Sequence, residues 1–220
     1  RVVKSETRGD LVNPASDLGQ TIAQIQGFLE GFVALTTPEE KQAKLQEVGL
    51  QGLGLNLVDI TTAGAGRIIK WLWRASTRLI NCAIGSLFHI LSGLGITVTK
   101  KELLEKAVLI DILTGVITPE SATGDLMLSM YGMAKAAQAK GATLYGATVT
   151  VDQLQTIGQP VIAHVGGDHY ILIKSIEDSI VTYIEDDIEK TLAVQDFLTV
   201  WDGNILTSIV PDGASLLSIE

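Results

Sequence analysis

The sequence has little of what several classes of protein need. It contains one cysteine, so it forms no internal disulfide and offers no cysteine-rich zinc site. Three histidines leave few further metal ligands, and we expect neither a bound metal nor another cofactor. No apolar run reaches the roughly 18 residues that a membrane-spanning helix needs. A formal net charge of −9 disfavours a nucleic-acid-binding surface, so the sequence points to a globular protein with other partners.

Chain length and cysteine content limit the number of domains and the possible cellular compartments. With 220 residues, 46% of them hydrophobic, the chain can bury a substantial core in one large domain or in one domain plus an appendage. A single cysteine fits a reducing compartment such as the cytoplasm. It also fits the many exported bacterial and archaeal proteins that lack disulfides, so the sequence assigns no compartment.

The N-terminal part predicts a helical hairpin. After an Asn-Pro pair at residues 13–14, hydrophobic residues recur at steps of three and four, which predicts an amphipathic helix. Thr37 and Glu40 form the pattern of a capping box with proline between them, and they predict the start of a second helix. The two helices are close enough in sequence to pack as an antiparallel pair.

A glycine-rich stretch at residues 50–66 follows this hairpin. Its patterning is weak, so we expect a linker with a short helix near residues 57–61. We therefore divide the chain into residues 1–66, a helical hairpin with its linker, and residues 67–220, the main domain.

The main domain begins with a basic stretch at residues 67–80. Arg67, Lys70, Arg74 and Arg78 are spaced three, four and four residues apart, which places them on one face of a helix. Such a helix binds a membrane surface or a partner protein in some proteins. More often it packs on the core and leaves its basic side chains in solvent, and we favour this second interpretation.

The rest of the main domain predicts helices first and strands afterwards. Glycine-containing or acidic turns separate the strands, which is typical of the hairpins of an antiparallel sheet. Helices followed by strands indicate an α+β fold with separate layers. The predicted helices cover residues 81–91, 99–110 and 126–140, and the principal predicted strands cover residues 161–165, 170–175 and 180–185.

The lone cysteine lies where a helix is expected to begin. Asn81 is a good N-cap residue, so Cys82 would fall in the first turn of the helix that follows. Free N–H groups and the positive end of the helix dipole favour a thiolate there, as a nucleophilic cysteine requires. An inert buried cysteine is the alternative for any lone cysteine.

A cysteine nucleophile needs a base and a group that orients the base. His89 follows Cys82 by seven residues on the same helix, about 10 Å along its axis, which is too far for the base. His169 begins an apolar strand that would hold it rigidly at the end of a sheet. Asp186 follows the next strand, and an antiparallel return can bring its carboxylate beside His169. The spacing alone is a weak signal for this set of three.

These residues lie in segments that resemble a known family. The sequence from Asn81 to Gly95, NCAIGSLFHILSGLG, resembles the nucleophile helix of the double-glycine leader peptidases, the bacteriocin-processing branch of the papain-like cysteine peptidases. The resemblance covers about residues 74–211 and implies a papain-like α+β fold, with helices packed on an antiparallel sheet. Further matches are QPVIAH and HYILI to the family's Pro-x-Ile-Ala-His and His-Phe-Val-Val-Leu strands, VTYIED to its strand ending in Asp-Pro, and the closing Phe-x-x-x-Trp-x-Gly.

The resemblance implies roles for three residues. Cys82 corresponds to the nucleophile, His169 to the general base and acid, and Asp186 to the residue that holds the imidazole. The implied activity is hydrolysis of a peptide bond in a peptide or protein substrate, such as the processing of a leader or precursor peptide.

One departure from the family concerns the oxyanion hole. The family carries a glutamine six residues before the cysteine, and its amide helps to form that hole. Here the position is Ser76, and loss of one oxyanion donor typically costs about 10²–10³ in rate. Arg78, Asn81 or Ser76 itself would have to supply the missing donor.

Two other functions compete with the peptidase. A chain without the glutamine could retain the fold as a catalytically weak or inactive module that binds peptides. The same cysteine and histidine could also serve another acyl transfer, such as amidase or transglutaminase chemistry. Transfer of the acyl group to an added amine would separate that chemistry from hydrolysis.

Overall fold

A computed structural model describes residues 12–75 and 78–217 of the chain, and for residues 78 and 79 it describes the backbone only. Six helices come first: α1 (Asp17–Val33), α2 (Pro38–Glu47), α3 (Thr62–Leu72), α4 (Arg78–Gly93), α5 (Lys100–Leu113) and α6 (Met130–Ala139). The remaining elements are β1 (Tyr145–Thr148), α7 (Val151–Ile157), β2 (Val161–Val165), β3 (His169–Glu177), β4 (Ile180–Glu185), β5 (Ile188–Ala193), α8 (Val194–Val200), β6 (Trp201–Thr207) and β7 (Ser215–Leu216).

All seven of these strands form one sheet in the order β5-β4-β3-β2-β6-β1-β7. Each pair of neighbours is antiparallel. The predicted arrangement of helices packed on an antiparallel sheet, preceded by further helices, is therefore confirmed. In the described part of the chain, no helix combines the length and the hydropathy needed to cross a bilayer.

The sheet separates two hydrophobic clusters, and this separation positions α4. Alternate residues of a strand face opposite sides of a sheet. Tyr170 and Leu172 of β3 belong to the cluster that contains the helices, and Ile171 and Ile173 belong to the cluster around Phe197 of α8. Helix α4 packs directly on β3, so the helix that carries the cysteine lies against the strand that begins with the histidine.

Capping residues set the starts of several helices, including the one that Thr37 and Glu40 predict. Thr37, Thr99 and Thr150 each accept a hydrogen bond from a backbone N–H three residues on. The side chain at that position bonds back to the backbone of the threonine in all three cases. These contacts are local, which is why the sequence alone reveals them.

The interpretation of residues 50–80 was partly wrong. Thr61 caps α3, so residues 62–66 form its first turns and no helix covers residues 57–61. A glycine fits at position 64 of this helix because a Cβ there would lie only 3.0 Å from the Pro119 ring, which leaves little room for a larger residue. The basic stretch at residues 67–80 is shared between α3 and α4 instead of forming one helix, and its contact with a membrane or partner stays a prediction.

The division of the chain at residue 66 also stays a prediction. Helix α3 runs across that boundary. Ile25 and Leu29 of α1 are 1% and 0% exposed, and they belong to the same hydrophobic cluster as Leu109 of α5. The N-terminal helices thus share a core with the helices of the main domain.

One carboxylate is buried completely in this helical core. Asp111 of α5 accepts hydrogen bonds from the backbone N–H and the hydroxyl of Ser129, at 2.9 and 2.6 Å, and thereby holds the N-cap of α6. Burial raises the pKa of Asp111 to about 7, although the two bonds from Ser129 oppose the shift. Asp111 therefore holds its proton in the folded chain over a pH range in which the unfolded chain has lost it.

This buried carboxyl predicts that stability decreases with rising pH. The folded chain binds the extra proton between the ordinary pKa of 3.8 and about 7, so the free energy of unfolding falls across that window. We expect Asp111→Asn to remove this part of the pH dependence. Urea unfolding of both proteins at about pH 4.5 and pH 6.5 gives the free energy of unfolding at each pH. An equal change of that free energy between the two pH values in both proteins would contradict the prediction.

Candidate active site

Cys82 lies in the second turn of α4, later in the helix than expected. The helix begins at Arg78, so Asn81 is its fourth residue and not its N-cap, and this expectation was wrong. Ile80, which is 2% exposed, already belongs to the buried apolar face of the helix, so the helix starts about one turn earlier in the sequence than predicted. Because helix dipole effects fade within the first turn, the dipole acts less on Cys82 than its predicted position implied.

Cys82 itself is buried and its side chain is hydrogen-bonded to His169. The residue is 3% exposed. His169 begins β3, as predicted, and its side chain is about one quarter exposed. The structure therefore brings together the two residues that the sequence places 87 positions apart.

The electrostatics of this pair favour a charged imidazole. The hydrogen bond with Cys82 raises the pKa of His169 most, and the charges of Cys82 and Glu185 raise it further. Partial burial acts in the opposite direction, and the net result is a pKa of about 9. At neutral pH His169 is thus an imidazolium that donates to the sulfur.

Glu185 is the carboxylate that contacts His169. Its Oε2 lies 3.4 Å from Nε2 of His169, and its Oε1 lies 3.4 Å from Nζ of Lys190. The sequence pointed to Asp186, and the contact of Glu185 with His169 was not predicted. The one available signal was that Glu185 is the last residue of the predicted strand.

Asp186 lies in the turn between β4 and β5, with a φ of 51°. Among the described residues, no ion pair or hydrogen bond joins it to His169. The physical reason is the length of β4: the strand continues through Glu185, and neighbouring strand residues face opposite sides. A shift of one residue therefore exchanges the carboxylate that can reach the imidazole.

The two other histidines have carboxylate partners of their own. Nε2 of His89 lies 2.6 Å from Oδ1 of Asp187, and Nδ1 of His164 lies 2.5 Å from Oδ2 of Asp202. Burial tends to raise the pKa of Asp202, but the bonds with His164 and Asn204 outweigh it and lower that pKa. Both histidines are thus paired with carboxylates, and that His89 is not the base stays a prediction.

A cavity of about 540 Å³ opens beside the cysteine. Its lining includes Cys82, Asn81 and His89 of α4, Lys100 of α5 and Asp187 of the β4–β5 turn. Helix α1 contributes Asp17, Leu18 and Thr21, so the N-terminal part of the chain forms one of its walls. A substrate segment in this cavity would lie next to the sulfur.

The structure describes only some of the residues predicted to form the oxyanion hole. Asn81 is exposed and lines the cavity together with Cys82. Ser76 lies outside the described residues, and so does the side chain of Arg78. The Cys82 N–H lies within the helix, where it pairs with the carbonyl four residues earlier. Asn81 is therefore the one of these three candidates whose side chain the structure describes.

A comparison with protein families gives a match in the region that contains β1–β6. A model of the Peptidase C39 family matches residues 117–211. This region is therefore similar to the Peptidase C39 family, and the match covers less than half of the chain. The region contains His169 and Glu185, whereas Cys82 lies upstream of the matched residues. The match agrees with the peptidase family that the sequence resembles.

Solved peptidase domains of this family are similar to the chain at low sequence identity. The N-terminal peptidase C39-like domain of the toxin secretion ATP-binding protein from Vibrio parahaemolyticus is 13% identical, with a TM-score of 0.45, over 62% of this chain and 97% of that domain. The peptidase domain of Streptococcus ComA, a bifunctional ABC transporter of a quorum-sensing pathway, is 15% identical, with a TM-score of 0.49, over 63% and 96%.

A third similar structure is a double glycine motif protease from an AMS/PCAT transporter, in complex with the leader peptide. It is 14% identical, with a TM-score of 0.47, over 65% of this chain and 89% of that one. A search of curated proteins gave no match to the chain.

Proposed function

We propose that this chain is a cysteine peptidase of the C39 family that hydrolyses a peptide bond through Cys82 and His169. The observation that carries the proposal is the hydrogen bond between these two side chains, which raises the pKa of His169 to about 9. An imidazolium beside a cysteine stabilises the thiolate, which is the nucleophilic form of the residue.

The chemistry follows the acyl-enzyme route. The thiolate of Cys82 attacks the carbonyl carbon of the scissile bond, and His169 gives its proton to the amine that leaves. His169 then takes a proton from water, and the resulting hydroxide attacks the thioester to release the acid and restore the thiolate.

Glu185 is proposed as the residue that orients the imidazole, in place of Asp186. Its Oε2 faces Nε2 of His169, which leaves Nδ1 as the nitrogen available to the sulfur. A carboxylate in this position fixes the plane of the ring and stabilises its positive charge. Asn81 is proposed to donate to the oxyanion from its place on the cavity wall.

The proposed substrate is a peptide or protein segment, such as a leader or precursor peptide. Similarity to the family indicates peptide-bond chemistry, and the resemblance of the nucleophile helix to double-glycine peptidases favours processing of a leader. The cavity beside Cys82 has room for several substrate side chains, since it measures about 540 Å³.

Alkylation of the thiol tests the proposal without a known substrate. Cys82 is the only cysteine, so the mass added by iodoacetamide reports on it alone. We expect labelling of the wild-type protein to stay fast well below pH 7. In His169→Ala we expect labelling at pH 6 to be on the order of 10²-fold slower, because an unpaired thiol loses its proton only near pH 8.5.

Lys174→Ala is a suitable control, because Lys174 is an exposed cation of β3 whose ion pair is with Glu189. Slow labelling of both wild type and His169→Ala, rising together near pH 8.5, would contradict the peptidase and favour a binding module. Hydroxamate formation in the presence of hydroxylamine, without hydrolysis in its absence, would indicate another acyl transfer.

A further inference from the structure

A single carboxylate joins three elements of the protein beside the active site. Oδ1 of Asp187 lies 2.6 Å from Nε2 of His89 on α4, and Oδ2 lies 2.8 Å from Nζ of Lys100, the first residue of α5. An ionised carboxylate only accepts hydrogen bonds, so both partners donate to it. These bonds lower the pKa of Asp187, with Lys100 contributing most. We refer to His89, Lys100 and Asp187 as the Asp187 clamp.

Each end of the clamp is rigidly connected to a residue of the active site. His89 follows Cys82 by seven residues, which is close to two helical turns, so the two side chains share one face of α4. Asp187 follows Glu185 by two residues in the hairpin of β4 and β5. The clamp thus connects the helix that carries the nucleophile to the hairpin that carries the carboxylate facing His169.

The sheet by itself holds this end of the hairpin only on one side. Toward the turn, the last paired residues of β3 and β4 are Leu172 and Ile184. Glu185 lies beyond this point and pairs only with Ile188 in the neighbouring strand β5. Hydrogen bonding with β3 therefore stops one residue before the carboxylate that must stay close to the imidazole.

The turn also has an unusual backbone. Asp186 and Asp187 have φ values of 51° and 62°, in the left-handed region that most residues avoid. Aspartate and asparagine tolerate this region better than other non-glycine residues do. A change of Asp187 to asparagine therefore removes the charge while it retains the turn.

We propose that Asp187 is a positioning residue of the active site. Its bonds to His89 and Lys100 hold the β4–β5 hairpin against α4, and this keeps Glu185 in contact with His169 and His169 in contact with Cys82. The proposal rests on the proposed function, because it explains how the cysteine–histidine pair is maintained.

Losing the negative charge of Asp187 and losing the clamp should shift the pH profile of Cys82 labelling in opposite directions. The two effects can therefore be told apart. Removing the negative charge of Asp187 near a thiolate would favour that thiolate and move its labelling profile to lower pH. Loss of the clamp would weaken the pair with His169 and move the profile to higher pH. The direction of the shift in Asp187→Asn therefore identifies the cause.

The experiment measures the pH profile of Cys82 labelling by iodoacetamide in the full chain. We expect Asp187→Asn to move the midpoint upward by about one pH unit, which lowers the labelling rate about tenfold at pH values below the wild-type midpoint. His89→Gln is expected to move it in the same direction, and the double variant no further than Asp187→Asn alone. Glu189→Gln removes a carboxylate from the same hairpin, where it pairs with the exposed Lys174, and should retain the wild-type profile.

The outcomes distinguish the clamp from the peptidase itself. If the wild type labels fast below pH 7 but Asp187→Asn has the same midpoint or a lower one, the clamp is refuted and the peptidase stands. If the wild type itself labels only near pH 8.5, the pair is absent and both proposals fail. Circular dichroism and melting curves show whether each variant is folded. If Asp187→Asn is unfolded, the midpoint in His89→Gln decides, and a wild-type value there refutes the clamp.

Discussion

Replacing Cys82 by alanine is expected to abolish peptide hydrolysis, with a loss on the order of 10⁶-fold in kcat. The sulfur is the atom that attacks the carbonyl carbon in the proposed mechanism, and the alanine side chain has no group that can replace it. The substitution removes one buried atom from a residue that is only 3% exposed, so we expect the fold to persist. The loss of activity should therefore be chemical and not structural.

Mass spectrometry of a diverse peptide mixture incubated with the protein measures this effect, because a mixture requires no choice of substrate. Products that form with the wild type and are missing with Cys82→Ala define both the activity and the cleavage site. Ser92→Ala, a change at an exposed position of the same helix, serves as the matched control. Equal products from Cys82→Ala and the wild type would show that hydrolysis does not depend on this residue.

Replacing Glu185 by glutamine is expected to lower kcat/KM by about 10²–10⁴-fold, whereas Asp186→Asn should change it only a few-fold. Glutamine keeps the size of Glu185 but removes the charge that faces Nε2 of His169 at 3.4 Å. Loss of that charge also lowers the pKa of His169, since Glu185 is one of the groups that raise it. The loss of activity should consequently be accompanied by a change in its pH profile.

The two adjacent carboxylates form a matched pair, because both variants remove one charge and keep the side-chain size. Activity on the substrate found with the wild type, measured between about pH 5 and pH 9, compares them directly. A large loss in Asp186→Asn with little change in Glu185→Gln would refute Glu185 and restore the residue that the sequence suggested.

The elements that the sequence predicts well are those specified by neighbouring residues. The capping boxes at Thr37, Thr99 and Thr150 mark the starts of α2, α5 and α7, because each box is closed within four residues. Strands β2, β3 and β4 are buried or half-buried in the middle of the sheet, and their apolar runs indicate them. Strand β5 was missed because it lies at the edge of the sheet with four exposed residues and little apolar patterning.

The active site is predicted only in part for a related reason. The sequence identifies Cys82 and His169 through their segments and the family resemblance, and the structure brings the two side chains into contact. It points to Asp186, whereas the carboxylate in contact with His169 is that of Glu185, because this contact depends on which face of β4 meets the imidazole. That choice is made by the register of β4 against β3, which no local pattern reveals.

The sequence by itself determined that helices precede the strands, which peptidase family the chain resembles and which two residues form the proposed nucleophilic pair. Those features depend on periodicity, on caps and on short motifs, all of which act within a few residues. Only the tertiary structure decided that Glu185 faces His169, that α1 lines the cavity beside Cys82, and that Asp187 joins α4 to the β4–β5 hairpin. These are contacts between distant segments, and they are fixed by how the helices pack on the sheet.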